Sequence, residues 1–307
     1  MRLQGWIASL LILSGMQLFA SSYAAAQGPS PAGSGPAAKK DSDEHRGFTL
    51  YEFFGGSSNN EGQVMTLTTT GGYAFNRHFS ADLGVPIYFV RAKTPTGTTT
   101  TSNGIGDVFA DFRLTLRNPV VNYASTLTVA LPSGDTERGR STGRATFDWS
   151  NQFSHGFGRW IPYADLGVGN SLYNTSFFTR PFLTLGKVAH FEAGAWYRLA
   201  RGVSIGASAY DVAPWGQQKV FSRIVTKASG GPGGAASHGR VFENNPETIG
   251  GAELVRDNGF TAGLNVSPSR FLDLGLMYSR SMHFRLDTIS FGLGIDLSPL
   301  FRRAGND

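Results

Sequence analysis

Between Asp107 and Arg117 the chain reads DVFADFRLTLR, and polar and apolar positions alternate almost throughout. Asp107, Phe109, Asp111, Arg113, Thr115 and Arg117 share one parity, while Val108, Ala110, Phe112, Leu114 and Leu116 share the other. A period of two belongs to a strand with one wet face and one apolar face. The pattern recurs along the chain. Arg144, Thr146, Asp148, Ser150 and Gln152 alternate with Ala145, Phe147, Trp149 and Phe153. His190, Glu192 and Arg198 oppose Ala189, Phe191, Ala193, Ala195 and Tyr197. Leu272, Leu274, Leu276 and Tyr278 oppose Asp273, Gly275 and Ser279, and Ile289, Phe291, Leu293, Ile295 and Leu297 oppose Thr288, Ser290, Gly292, Gly294 and Asp296. In all, twelve segments read as strands: 48–55, 63–76, 79–91, 105–117, 120–131, 144–154, 160–170, 187–198, 203–213, 257–266, 271–279 and 285–297. No segment reads convincingly as a helix.

The spacers alternate between long and short. GSSNNEG, AKTPTGTTTTSNG, PSGDTERGRSTG and the stretches of about 171–186 and 214–256 are long. RH, NP, HGFGR, LARG and SPSR are short, and only RSMHF is short where a long spacer is expected. A meandering barrel with tight turns at one end and loops at the other produces this asymmetry, and an even strand count returns both termini to one end. The polar parity is often Gly, Ser or Thr, which suits a confined lumen. Aromatics near strand ends (Tyr73, Phe75, Phe79, Phe89, Tyr123, Trp149, Phe153, Trp160, Tyr278) suit the girdles of a membrane barrel. The pattern therefore predicts an all-β, antiparallel, up-and-down transmembrane β-barrel of about twelve strands. Pro86 removes a ladder donor, which either a bulge or a different strand limit would accommodate. The segment 48–55 is poorly two-faced.

The N-terminus adds the compartment. Arg2 precedes the apolar run WIASLLILSG, and YAAAQ places Ala24 and Ala26 in a small-x-small cleavage pattern, so residues 1–26 read as an export signal. Residues 27–46, rich in Pro, Gly, Ala and Ser and then charged, read as a flexible tail, 47–298 as the barrel and 299–307 as a C-terminal tail. The formal charge of +5 is a mild, scattered excess, which argues against a nucleic-acid partner. The sequence holds no cysteine, which excludes disulfides, thiol catalysis and thiolate metal sites. Glycine is abundant at 40 residues and charged residues make up only 16%, yet no segment beyond the signal nears the ~18 apolar residues of a membrane helix. Transmembrane strands escape that test because only alternate residues meet lipid.

Candidate chemistry is sparse. Of the six histidines, His45 lies in the tail, His78 and His155 in predicted turns, and His238 and His283 in predicted loops. Only His190 falls on a polar strand parity, beside Glu192; a structural hydrogen bond is the plainer reading of that pair than catalysis. SMH at 281–283 and DTER at 135–138 could be forced into hydrolase roles only with difficulty. SGGPGGAASHGR lacks the Lys–Ser/Thr pair and the helix of a phosphate loop. No metal or cofactor is implied. Asp107, Asp111, Arg113, Asp148, Asp165, His190, Glu192 and Arg198 form the candidate lumen set, and their mixed signs fit either a bracing network or a solute-selecting field. Arg138, Arg140 and Arg144 read as a solvated loop that could also meet lipopolysaccharide phosphates.

GIGDVFADFRLTL, TVALPSGDTERG, RPFLTLGKVAHFEAGAWYRL and GASAYDVAPWGQQ resemble segments of the outer-membrane family named after the meta-pathway of phenol degradation. The resemblance spans roughly residues 48–297 and rests mainly on the GxGD strand opening and the LPSGD exit. It implies an outer-membrane barrel that passes hydrophobic or aromatic compounds, and it supplies no catalytic residue. The expectation is thus a non-enzymatic bacterial outer-membrane channel or transporter for small solutes, in contact with lipid and lipopolysaccharide. The alternatives are a structural or adhesion barrel with a filled lumen and, further off, an outer-membrane hydrolase.

Overall fold

The computed structural model describes residues 47–60, 62–93, 99–172, 180–225, 245–269 and 271–297. The expected export signal, both expected tails, His45, His238 and the SGGPGGAASHGR loop lie outside the described residues.

Alternation of the kind seen in 107–117 leaves each strand one apolar face to hide from water and a full set of backbone groups to pair. The chain solves the second problem by closing on itself. The barrel strands are β1 (Gly47–Asn59), β2 (Gly62–Ala74), β3 (Phe79–Lys93), β5 (Val108–Arg117), β6 (Asn122–Leu131), β7 (Thr146–Ser154), β8 (Trp160–Gly169), β10 (Val188–Ala200), β11 (Val203–Pro214), β14 (Asp257–Ser269), β15 (Leu272–Ser281) and β16 (Leu286–Asp296). Each pairs antiparallel with its neighbour in chain order, and β1 pairs with both β2 and β16, so the twelve strands close into a ring.

The parities segregate. Asp111, Thr128, Asp148, Ser150, His190, Thr261, Ser279 and Thr288 are buried on the inside, whereas Phe112, Leu127, Trp149, Phe191, Phe260, Tyr278 and Ile289 are exposed on the outside. At one end the strands join through tight turns. Asn76 accepts the N–H groups of His78 and Phe79 at 2.7 and 2.9 Å, and Asn118 accepts those of Val120 and Val121 at 2.8 Å, side chains that mimic a backbone turn. Gly202 turns the β10–β11 hairpin at φ 71°, a conformation that favours glycine.

The expected long first spacer is shorter than its composition suggested. β1 and β2 stay paired from Gly47–Ala74 out to Asn59–Gly62, and the connection is tight. The fourth barrel strand is interrupted. β4 (Thr99–Ile105) pairs with the far half of β3 through Ile87–Lys93, and β5 pairs with its near half through Phe79–Gly84. Gly106 and Asp107 lie in the break, so Asp107 occupies an irregular position and not a strand position. The Gly106 N–H donates to the Pro86 carbonyl at 2.8 Å. In an antiparallel ladder a residue's N–H and C=O face the same neighbour, so the N–H that Pro86 lacks would also have pointed at the break. The irregularity in one strand accommodates the proline in the next.

At the other end the described parts of the two longest spacers form further strands. β9 (Phe182–Leu185), β12 (Gln218–Ser222) and β13 (Glu247–Gly250) form a small antiparallel sheet in the order β13-β12-β9, followed by a 3-10 turn at Ala252–Leu254. Its core joins Leu172, Phe182 and Val220 to Val188, Tyr210 and Val212 of the wall.

Candidate functional site

The small sheet positions a crossing segment. Gln218 is tied to the barrel beside β10 and β11, donating to the carbonyls of Lys187 and Trp215 at 2.9 Å. Six residues later Ile224 is fully buried against Val64, Val90 and Ala92, on the inner faces of β2 and β3. β3 lies six strands from β11 whichever way the ring is followed. A chain that touches both must cross the bore, and Gln218–Ile224 does so. Arg223 anchors the crossing: its guanidinium lies 4.2 Å over the ring of Tyr88 and donates to the carbonyls of Gly139 and Arg180 at 3.1 and 2.8 Å. Arg180 in turn lies 3.5 Å from Asp257, which accepts hydroxyls from Tyr210 and Ser281 at 3.2 and 2.6 Å.

Below the crossing, the wall carries two polar arcs. In the first, on β7, β8 and β10, the His190 ring stands between two carboxylates: Nε2 is 3.0 Å from Asp148 and Nδ1 is 3.8 Å from Asp165. The ring lies across Gly167, where any Cβ would fall inside it. Glu192, one step along β10 on the same face, accepts the Tyr163 hydroxyl at 2.5 Å. Ser208 and Thr261 extend the chain of polar contacts at 2.6 Å. Among the described residues no group of three His, Asp or Glu side chains is arranged to hold a metal ion.

The second arc lies on β1, β3, β5 and β6. Asp82 stands opposite Asp111 in the ladder, accepts the Thr49 hydroxyl at 2.7 Å and lies 4.0 Å from the Arg113 guanidinium. Asp111 accepts the Thr128 hydroxyl at 2.5 Å. Of the remaining predicted residues, Asp107 sits at the strand break and accepts the N–H groups of Ser133, Gly134 and Thr142 at 3.1, 3.1 and 3.4 Å, tethering the β6–β7 loop. Arg198 is half-buried at the tight-turn end, where its N–H bonds to the Arg159 carbonyl at 2.9 Å. The structure thus brings Asp148, Asp165, His190 and Glu192 together, holds Asp111 and Arg113 in a separate arc with Asp82, and sets Asp107 and Arg198 apart from both.

The expected solvated arginine loop needs correction at one position. Arg140 is buried at 6% exposure, bonded to the Asn103 carbonyl and the Ser102 hydroxyl and 3.0 Å from Asp135, because the loop folds inward against β4. Arg138 and Arg144 are exposed.

Sequence reasoning did not find the inward aromatics. Phe53 and Phe109 are buried on the polar parity, and Trp196 shares it. Each lies on a glycine: Phe109 covers Gly84, and the Trp196 indole lies where a Cβ on Gly206 would be 2.6 Å away. For Phe109 and Trp196 the available signal was glycine on the inward parity of the strand alongside, which becomes visible only once the register is known, whereas Phe53 lies over Gly55 of its own strand.

No family model matches the sequence, and no curated protein does. Among solved structures, the chain is similar to an outer membrane channel of Pseudomonas putida F1, with 11% identity, a TM-score of 0.50, and coverage of 84% of this chain and all of that one. It is also similar to the NanC porin, with 8% identity, a TM-score of 0.45, and coverage of 81% of this chain and all of that one. The first likeness is one of fold: a closed antiparallel barrel.

Proposed function

We propose that the protein is an outer-membrane channel for small solutes, hydrophobic or aromatic compounds among them. The observation that carries this reading is the inversion of the ring. Its outside displays Leu83, Phe112, Trp149, Leu166, Phe191, Phe260 and Ile289, and its inside holds hydroxyls, carboxylates and imidazole. An apolar belt of that extent is costly in water and is satisfied by hydrocarbon, where a closed sheet leaves no backbone group unpaired. The tight-turn end then faces the periplasm, and the end bearing β9, β12 and β13 faces outward, toward lipopolysaccharide. The resemblance to the meta-pathway family supports aromatic solutes, and so do the inward rings of Phe53, Phe109 and Trp196. The long axis of the bore is the solute path, and the inward polar residues set its walls.

The Gln218–Ile224 crossing favours a second reading, a structural barrel with a filled mouth. Planar-bilayer recording separates the two. Unheated protein should migrate anomalously on SDS gels, as a folded barrel does, and the same preparation should give discrete conductance steps. Folded protein without conductance would leave the structural barrel.

A further inference from the structure

The barrel wall and the loops divide the buried charges between them. Among the described residues, the buried arginines Arg140, Arg180 and Arg223 all come from the segments that fill the outer end. There they meet Asp135, Asp257 and the Tyr88 ring. The two polar arcs below carry Asp82, Asp111, Asp148, Asp165 and Glu192 against Arg113 and His190. Even with His190 protonated, carboxylates outnumber cations there.

A second observation comes from β15 and β16. The side chains of Ser279, Thr288 and Ser290 face the lumen at 1%, 1% and 5% exposure, and their hydroxyls have no hydrogen-bond partner within the protein. The inner wall thus carries oxygen atoms on both sides of the bore, and Phe53 and Phe109 are buried on the same face.

We infer that this lumen selects cations, and that its solutes carry an ammonium group on a small apolar or aromatic body. An ammonium brings three N–H donors and no acceptor, the complement of a wall of hydroxyls and carboxylates. Aromatic faces attract the same charge. A carboxylate or phosphate solute would meet like charge in an enclosed space of low dielectric. Rings of Asp and Glu give cation preference in other pores by the same physics. The inference rests on the channel reading above and adds the solute's charge to it.

The test is the reversal potential of the full-length protein in a planar bilayer under a potassium chloride gradient. Clefts lined by one sign of charge concentrate counter-ions by about tenfold or more, and a cation-over-anion permeability ratio of about that size is expected. Phenethylammonium in place of potassium should carry current, and benzoate in place of chloride should carry little. In the double variant Asp165→Asn, Glu192→Gln the ratio should fall toward one. If that variant does not fold, Asp111→Asn on the other arc should lower the ratio in the same direction. A conducting wild-type protein with no preference, or with anion preference, overturns the inference and leaves the channel reading standing. So does an unchanged ratio in a folded variant. Absence of conductance from folded protein overturns the channel reading itself.

Discussion

His190 reaches Asp148 because position 167, on the strand between them, has no side chain. A methyl group there would occupy the space of the imidazole ring, so Gly167→Ala must push His190 away from Asp148 or open the β8–β10 ladder. Forced overpacking of this kind costs about 1–3 kcal/mol. The urea midpoint of the refolded barrel should fall accordingly. In a His190→Ala background the same substitution should cost little, because the ring it displaces is gone. Equal losses in both backgrounds would mean that the ring is not what Gly167 accommodates. At this scale the sequence was half legible. Alternation placed His190, Asp148 and Asp165 on polar parities, but it could not say that they converge. That depends on the register of three strands separated by turns and a long loop. The inward Phe109 is the same lesson inverted: it breaks the binary pattern of its strand because Gly84 on the neighbouring strand makes room for it.

Among the elements, the twelve long barrel strands were legible, whereas β4, inside the expected spacer AKTPTGTTTTSNG, and the outer sheet were not. Long two-faced strands announce themselves through period two, and the tight turns through Asn, Pro and Gly. β9, β12 and β13 have four, five and four residues, too few for a period to show, and they sit in segments whose Gly and Pro content reads as loop. Their burial pattern is set by one another and by the barrel mouth, contacts that no local window contains. The break between β4 and β5 gives an element-level prediction. Asp107 holds the β6–β7 loop through its carboxylate, and hydrogen bonds to a charged group contribute about 1.5–3 kcal/mol. Asp107→Ala should release that loop, so that trypsin cuts folded protein faster after Arg138 and Arg144 while the barrel itself stays intact on unheated gels. Unchanged cleavage would show that the loop is held by its other contacts, such as Arg140 with Asp135.

For the molecule as a whole, a closed ring of hydrogen-bonded strands is a thin-walled tube, stiff along its length and soft in cross-section. Nothing in the ladder itself resists flattening into an ellipse. Gln218–Ile224 spans the tube from β11 to β2 and β3 and is fastened at both ends, at one by Gln218 and at the other by Ile224 and Arg223. It therefore acts as a spoke. The chain has no native cysteine, so spin labels can be placed at Asp211→Cys on β11 and Arg91→Cys on β3, both on the outer face. Pulsed electron–electron resonance should give one narrow distance. Replacing Gln218–Ile224 by a glycine–serine linker should broaden it, and an unbroadened distance would mean that the ring holds its shape alone. A tube kept round by a spoke at its mouth keeps opposite walls at a fixed spacing further down. The arcs around His190 and Asp82 would then owe their separation to a strand that touches neither.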